Sequence, residues 1–179
     1  TLLATHPLDD TVLLDRARDA LARIAEAHLT KYAAVDPTLE PPAPGFVLLI
    51  DQTRGDAAIR LGQANADSFA EMLATAREDH PDAEIVIKTH PETRAGHRPG
   101  HFEAHSLPPG VTIEDRPIAP RRLFENARAV YPVTSLLGFE AIFADHRPVT
   151  LGVPFYAGWG LTDDRRPVPA RRPRRLSRA

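Results

Sequence analysis

A chain of 179 residues with 42% hydrophobic content is long enough to bury one sizeable core, as a single domain or a domain with an appendage. It has no cysteine, which excludes a disulfide framework, thiolate catalysis and cysteine-ligated metal, and no run approaches the roughly 20 apolar residues of a membrane-spanning helix. The net charge of −2 hides an asymmetry: all 24 acidic residues precede position 165, and the last 15 residues hold seven arginines and no acid.

Residues 1–164 therefore carry about −9. The positive charge sits on a proline-broken tail, Arg165 to Arg178, not on a folded face, so nucleic acid is not an expected partner. The tail reads as a solvated linker or domain edge, or as a contact for anionic lipid or a polyanionic substrate. The start, Thr1-Leu-Leu-Ala-Thr-His6, reads neither as a signal peptide nor as an initiator, and suggests a piece of a longer chain.

Asp9, Asp10 and Thr11 offer capping oxygens ahead of an apolar stripe at Leu14, Ala17, Leu21, Ile24 and Leu29, which predicts a helix over about residues 12 to 31. Pro37, Pro41, Pro42 and Pro44 end it in a stiff connection. Phe46 to Ile50 is an uninterrupted apolar run closed by Asp51, as expected of a strand covered on both faces. A helix with Phe69, Met72, Leu73 and Ala76 on one face follows, with Ser68 and Glu71 placed to form a capping box. Residues 83–87 predict a second strand, 93–110 a Gly-, Pro- and His-rich loop, and 111–113 a short third strand. Pro120 opens a short helix, 127–131 form a fourth strand, Thr134 or Ser135 opens another helix, and 148–151 form a fifth strand. Strands alternating with helices over this length predict an α/β fold, a Rossmann-like parallel sheet with helices on both faces. There is no complete GxGxxG after the first strand, so a dinucleotide fingerprint is absent.

In such sheets ligands gather beyond the carboxyl ends of the strands, and three polar clusters fall there. Asp51-Gln-Thr-Arg-Gly-Asp56 follows the first strand: Gln52, Arg54 and Asp56 offer donors, a cation and a carboxylate, although an Asp-Gly turn is often only a turn. Lys88-Thr-His-Pro-Glu92 follows the second, where Lys88 and His90 suit a phosphate and His90 suits proton donation to a leaving oxygen; a solvated loop histidine is the plain alternative. After the fourth, Thr134 and Ser135 fall at a helix start, where unpaired N–H groups suit an anion and an ordinary N-cap needs none. Glu140 can reach a sugar hydroxyl or face solvent. Together the clusters suggest a negatively charged ligand beside a carboxylate. His97, His101 and His105 recur every four residues, but the prolines and glycines around them describe a loop, so no metal is expected. Val153 to Gly160, with the lone tryptophan, reads as a ring-stacking loop, a domain interface, or a hydrophobic plug.

The chain resembles the capsular polysaccharide β-Kdo transferases. The likeness runs from about Leu29-Thr-Lys-Tyr32 to the arginine-rich end, and its strongest parts are Asp51 to Asp56, His90-Pro91, Val133 to Glu140 and Pro154 to Asp163. The resemblance implies a GT-B architecture, of which residues 46–164 form one Rossmann-like half, 1–45 a helix and connection from a preceding domain, and 165–179 the tail. It implies CMP-Kdo as donor, no cofactor, and a lipid-linked glycan acceptor. It places the protein in the cytoplasm, at the inner face of the inner membrane, beside capsule biosynthesis proteins. Gln52 and Asp56 fill the family's Gln-x-x-x-Asp pattern, with Asp56 as nucleophile of a retaining reaction. His90 fills the His-Pro pattern and faces the CMP phosphate, Thr134 and Ser135 hold that phosphate, and Lys88 or Arg54 balances the Kdo carboxylate. Two other expectations stand beside it: a non-catalytic nucleotide-sugar-binding or scaffold domain, and a transferase using another nucleotide sugar.

Overall fold

Phe46 to Ile50 are all buried, and their side chains divide by parity. Val47 and Leu49 pack with Phe69, Met72 and Ala76 on one face; Phe46, Leu48 and Ile50 pack with Leu123, Phe124, Leu137 and Ala141 on the other. An apolar residue at every position is what a strand needs when helices cover both sides. The computed structural model, which describes residues 2–32 and 34–178, builds the rest around this strand.

In chain order the elements are α1 (Leu2–Thr5), α2 (Thr11–Glu26), β1 (Val47–Ile50), α3 (Ala57–Leu61), α4 (Asp67–Asp79), β2 (Ile85–Lys88), α5 (Pro91–Arg94), a 3-10 turn (Ala104–Ser106), β3 (Val111–Glu114), α6 (Pro120–Asn126), β4 (Ala129–Pro132), α7 (Leu136–Phe143), β5 (Val149–Thr150) and β6 (Asp163–Asp164). The sheet is parallel, in the order β3-β2-β1-β4, with Val47 in register with Ile85 on one side and Ala129 on the other. Chain progression therefore reverses at β1: β2 and β3 add on one side and β4 on the other. In open parallel sheets ligands bind at such a switch point, here beyond the ends of β1 and β4. The expected Rossmann-like α/β half is present.

Four expectations need correction. The helix expected over about residues 12 to 31, α2, ends at Glu26. His28 takes a left-handed φ of 49°, which closes the helix, and leaves Leu29 beyond it and exposed. The Ser68–Glu71 capping box does not form. Asn65 and Ser68 exchange backbone-to-side-chain bonds of 3.2 Å instead, and Glu71 pairs with Arg166. The fifth strand shrinks to Val149–Thr150 and forms a separate parallel ladder with β6; the Leu151 and Gly152 N–H groups still donate to Pro132 and Val133 at the end of β4.

The arginine-rich segment is not a solvated tail. Arg165 reaches Asp79, Arg166 reaches Glu71 and the Leu151 carbonyl, and Arg172 donates to the Pro154 and Ala157 carbonyls at 2.7 Å each. Arg174 and Arg178 bond to the carbonyl of His6 and the carboxylate of Asp145. Scattered carbonyls and acids thus fasten the segment across the domain. The aromatic loop is a plug: Tyr156 and Trp159 are buried, and Trp159 Nε1 donates to the Phe155 carbonyl at 2.9 Å. Among the described residues, no helix is long and apolar enough to cross a membrane.

Candidate active site

One side chain bridges the loops that follow β1 and β4 at the switch point. Gln52, two residues past β1 and 2% exposed, accepts from the Thr134 N–H at 3.0 Å through Oε1. Its Nε2 donates to Asp56 Oδ2 and to Thr134 Oγ1, each at 3.1 Å. A buried carboxamide must satisfy both ends, so Gln52 ties the loop after β1 to the loop after β4. The turn that returns the chain to Asp56 passes through Gly55 at φ 80°, a conformation glycine adopts without penalty.

Asp56 is the N-cap of α3, with Oδ1 accepting from the Ala58 N–H at 2.9 Å. Donors on both oxygens hold its carboxylate in one orientation. Ser135 caps α7 and is 3% exposed; its carbonyl accepts from the buried Tyr156 hydroxyl at 2.6 Å. Gly138 sits so close to that hydroxyl that a Cβ would approach it to 2.2 Å, so the glycine brings α7 against the aromatic plug.

His90 caps α5, and its Nδ1 accepts from the Glu92 N–H at 3.2 Å. The neutral ring then carries its proton on Nε2. Burial lowers the His90 pKa first, and the Lys31 ammonium adds to the lowering, while the Glu92 and Asp56 carboxylates oppose it. At neutral pH the ring is therefore an uncharged Nε2–H donor, not a cation, until an anion binds beside it. The Asp56 carboxylate is among the charges that act on the patch around His90.

Lys31 and Tyr32 share that patch, and sequence reasoning missed both. The Glu140 carboxylate accepts from the Thr30 hydroxyl at 2.7 Å and the Lys31 N–H at 3.0 Å, so it clamps this segment instead of facing solvent. Lys31 Nζ lies 4.6 Å from the Tyr32 ring centroid, and Tyr32 meets the His90 ring edge-on at 5.3 Å. Partial desolvation lowers the Lys31 pKa, against the pull of Asp56 and Glu140. The segment follows a helix end and shows no periodicity; its only sequence signal is that the family likeness begins there.

Lys88 and Arg54 line two different clefts. Lys88 Nζ donates to the carbonyls of Glu114 at 3.2 Å and Arg116 at 2.7 Å, and burial pushes its pKa down to about 8. It lines a cleft of about 420 Å³ with Thr89, Pro91, Arg94 and Asp115. Arg54 lines a different cleft of about 490 Å³ with Asp56, Arg60, Asn65 and His101. The structure thus ties Gln52, Asp56 and Thr134 together next to Ser135, sets His90 against Tyr32, and gives Glu140 a clamping role.

Asp51, also unassigned from sequence, supports the floor. It is 3% exposed, and its oxygens accept from the Gln52 and His101 N–H groups. Burial pushes its pKa up to about 6. The His101 ring stacks on Phe69 at 3.7 Å, and burial, helped by the Arg54 charge, brings its pKa down to about 4.

Known proteins resemble this chain along most of its length. A family profile described as capsule polysaccharide biosynthesis protein matches residues 7–179. The capsule polysaccharide modification protein LipA of Neisseria meningitidis is 39% identical over 160 residues, 86% of this chain and 23% of LipA. The lipopolysaccharide-processing protein LpsZ of Rhizobium meliloti is 33% identical over 167 residues, 91% of this chain and 38% of LpsZ. Among solved structures, the beta Kdo 2,4 transferase of Thermosulfurimonas dismutans KpsC superposes with a TM-score of 0.89 at 37% identity, covering 98% of this chain and 56% of that one. The beta Kdo 2,7 transferase of the same KpsC gives 0.66 at 28% identity, covering 98% and 53%. The chain spans less than two-fifths of these curated relatives and just over half of each solved structure.

Proposed function

The chain belongs to the capsule polysaccharide biosynthesis protein family, and from that premise we propose that it is the donor-binding half of a retaining glycosyltransferase that moves β-Kdo from CMP-Kdo to a lipid-linked capsular glycan. The observation that carries the reading is Gln52, whose one carboxamide holds both Asp56 and Thr134 at the switch point of the sheet. It sets a carboxylate beside a helix terminus suited to phosphate. The likeness to a solved beta Kdo 2,4 transferase supplies the sugar.

In the proposed reaction an Asp56 oxygen attacks the anomeric carbon of Kdo. The bond from that carbon to the phosphate oxygen breaks, and its electron pair leaves on CMP. His90 Nε2–H, Thr134 and Ser135 donate to the phosphate as its charge grows. An acceptor hydroxyl then attacks the same carbon, loses its proton, and displaces the Asp56 carboxylate. Two inversions restore the starting configuration. The cleft that Lys88 lines, next to Pro91, offers the nucleoside a place beside the phosphate.

The test mixes the chain with CMP-Kdo and a synthetic glycolipid acceptor and follows CMP release and glycan product. Product from the wild type that is abolished in Asp56→Ala supports the reading. Transfer undiminished in Asp56→Ala removes the nucleophile, and CMP-Kdo binding without turnover favours a binding domain.

A further inference from the structure

A carboxylate sugar of the Kdo type bears its acid group on the reacting carbon itself. Attack by Asp56 therefore brings two negative groups within a few ångströms of each other, and a cation between them is needed to offset the repulsion. Lys88 is unsuited to this: its ammonium is turned into the Glu114 and Arg116 carbonyls. Arg54 lines one cleft with Asp56 and His101, but the carboxylate its charge acts on there is the buried Asp51.

Lys31 meets the requirement. The Asp56 and Glu140 carboxylates act on its ammonium, and its ammonium acts on His90, yet among the described residues it forms no ion pair with any carboxylate. Its backbone is pinned by Glu140 from a position 109 residues away, and its ammonium lies over the Tyr32 ring. Tyr32 in turn abuts His90. A cation fixed at its base, backed by an aromatic face and unpaired at its tip is poised for an incoming anion.

We propose that Lys31 is the specificity-determining cation that seats the carboxylate of the transferred sugar over Asp56, with Tyr32 as its platform and Glu140 as its clamp. The inference rests on the reading of this patch as a CMP-Kdo site. Glu140 acts through the backbone it holds and is a positioning residue.

Calorimetric titration of the full chain with CMP and, separately, with CMP-Kdo tests both, with every protein, the wild-type Lys31 form included, carrying Asp56→Asn so that no sugar adduct forms. The wild type is expected to bind CMP-Kdo more tightly than CMP. In Lys31→Met, CMP-Kdo affinity should fall about 10- to 100-fold, the loss of one charge-assisted contact, with CMP affinity changed less than about 2-fold on the same scale. Lys31→Arg should recover most of the loss, and both variants should melt like the wild type, because Lys31 is an exposed residue. Equal CMP-Kdo binding by Lys31→Met and wild type overturns the inference and leaves the donor site standing. Equal weakening toward CMP and CMP-Kdo overturns it in favour of a phosphate contact. A wild type with no preference for CMP-Kdo over CMP overturns the donor-site reading, and the inference with it.

Discussion

Replacing Gln52 by glutamate strains the bridge between Asp56 and Thr134 with a nearly isosteric change. The new oxygen faces Asp56 Oδ2 where Nε2 now donates at 3.1 Å. Two carboxylates at that separation repel by about 5 kcal/mol at an effective dielectric of about 20, equivalent to about 3 to 4 pK units. The pair relieves this by retaining a proton, so the introduced acid titrates well above its unfolded value of about 4.3. While protonated it still accepts from Thr134 and donates to Asp56, and near pH 5 the variant should melt within a few degrees of the wild type. The native state then holds a proton that the unfolded chain has released, so stability is lost as the pH rises from about 4 toward the raised folded value. At about 2–4 °C per kcal/mol for a domain of this size, the melting temperature at about pH 8 should lie about 10–20 °C below that of the wild type. Circular dichroism melts of both proteins at about pH 5, 6.5 and 8 measure this. A variant that tracks the wild type at all three values would show that Gln52 does not hold Asp56.

Three further outcomes follow from the same geometry. The folded pKa of Asp51 is raised to about 6, so its contribution is complete below about pH 4 and lost as pH rises through 6; that of His101 is lowered to about 4, so its contribution is complete above about 6.5 and lost as pH falls. The two slopes oppose each other, and Asp51→Asn should expose the His101 term as a steeper loss of melting temperature on acidification, whereas an unchanged profile would contradict the Asp51 shift. His90→Asn keeps an acceptor for the Glu92 N–H but removes the Nε2 donor; transfer should fall about 100- to 1,000-fold with little change in melting temperature, and activity within about 2-fold of wild type would free His90 of its role. Arg172→Ala leaves the Ala157 carbonyl without the guanidinium donor and leaves Pro154 only the Ala157 N–H, and should lower stability by about 1–3 kcal/mol in urea titration, against no change if the segment were a solvated tail.

The parts legible in the sequence are those whose cause is local. Phe46 to Ile50 declares a strand buried on both faces because every residue is apolar. Pro120 marks the start of α6, and Ser135 the cap of α7. The polar clusters at strand ends were legible because the parallel sheet places strand ends together. What stayed hidden depends on partners distant in sequence. Lys31 and Tyr32 come beside His90 on a segment that Glu140 holds at Thr30 and Lys31 from more than a hundred residues away. The arginine-rich segment reads as solvated by composition, yet its anchors are scattered acids and carbonyls that no pattern marks. Pro148 to Leu151 has the composition of a sheet strand, but Thr150 bonds to Asp164, and the ladder forms with β6 instead. Lys88 occupies the expected strand end, but its ammonium is spent on backbone carbonyls.

The central claim is that Asp56 carries the sugar between donor and acceptor, and this half-reaction needs only the donor. Intact-protein mass spectrometry of the chain incubated with CMP-Kdo, followed by peptide mapping, reads it directly. The expected result is a Kdo-sized mass increment on the peptide containing Asp56, absent from Asp56→Asn, which keeps the α3 cap and the fold. An increment of the same size in Asp56→Asn, or one mapped to another residue, would contradict the assignment.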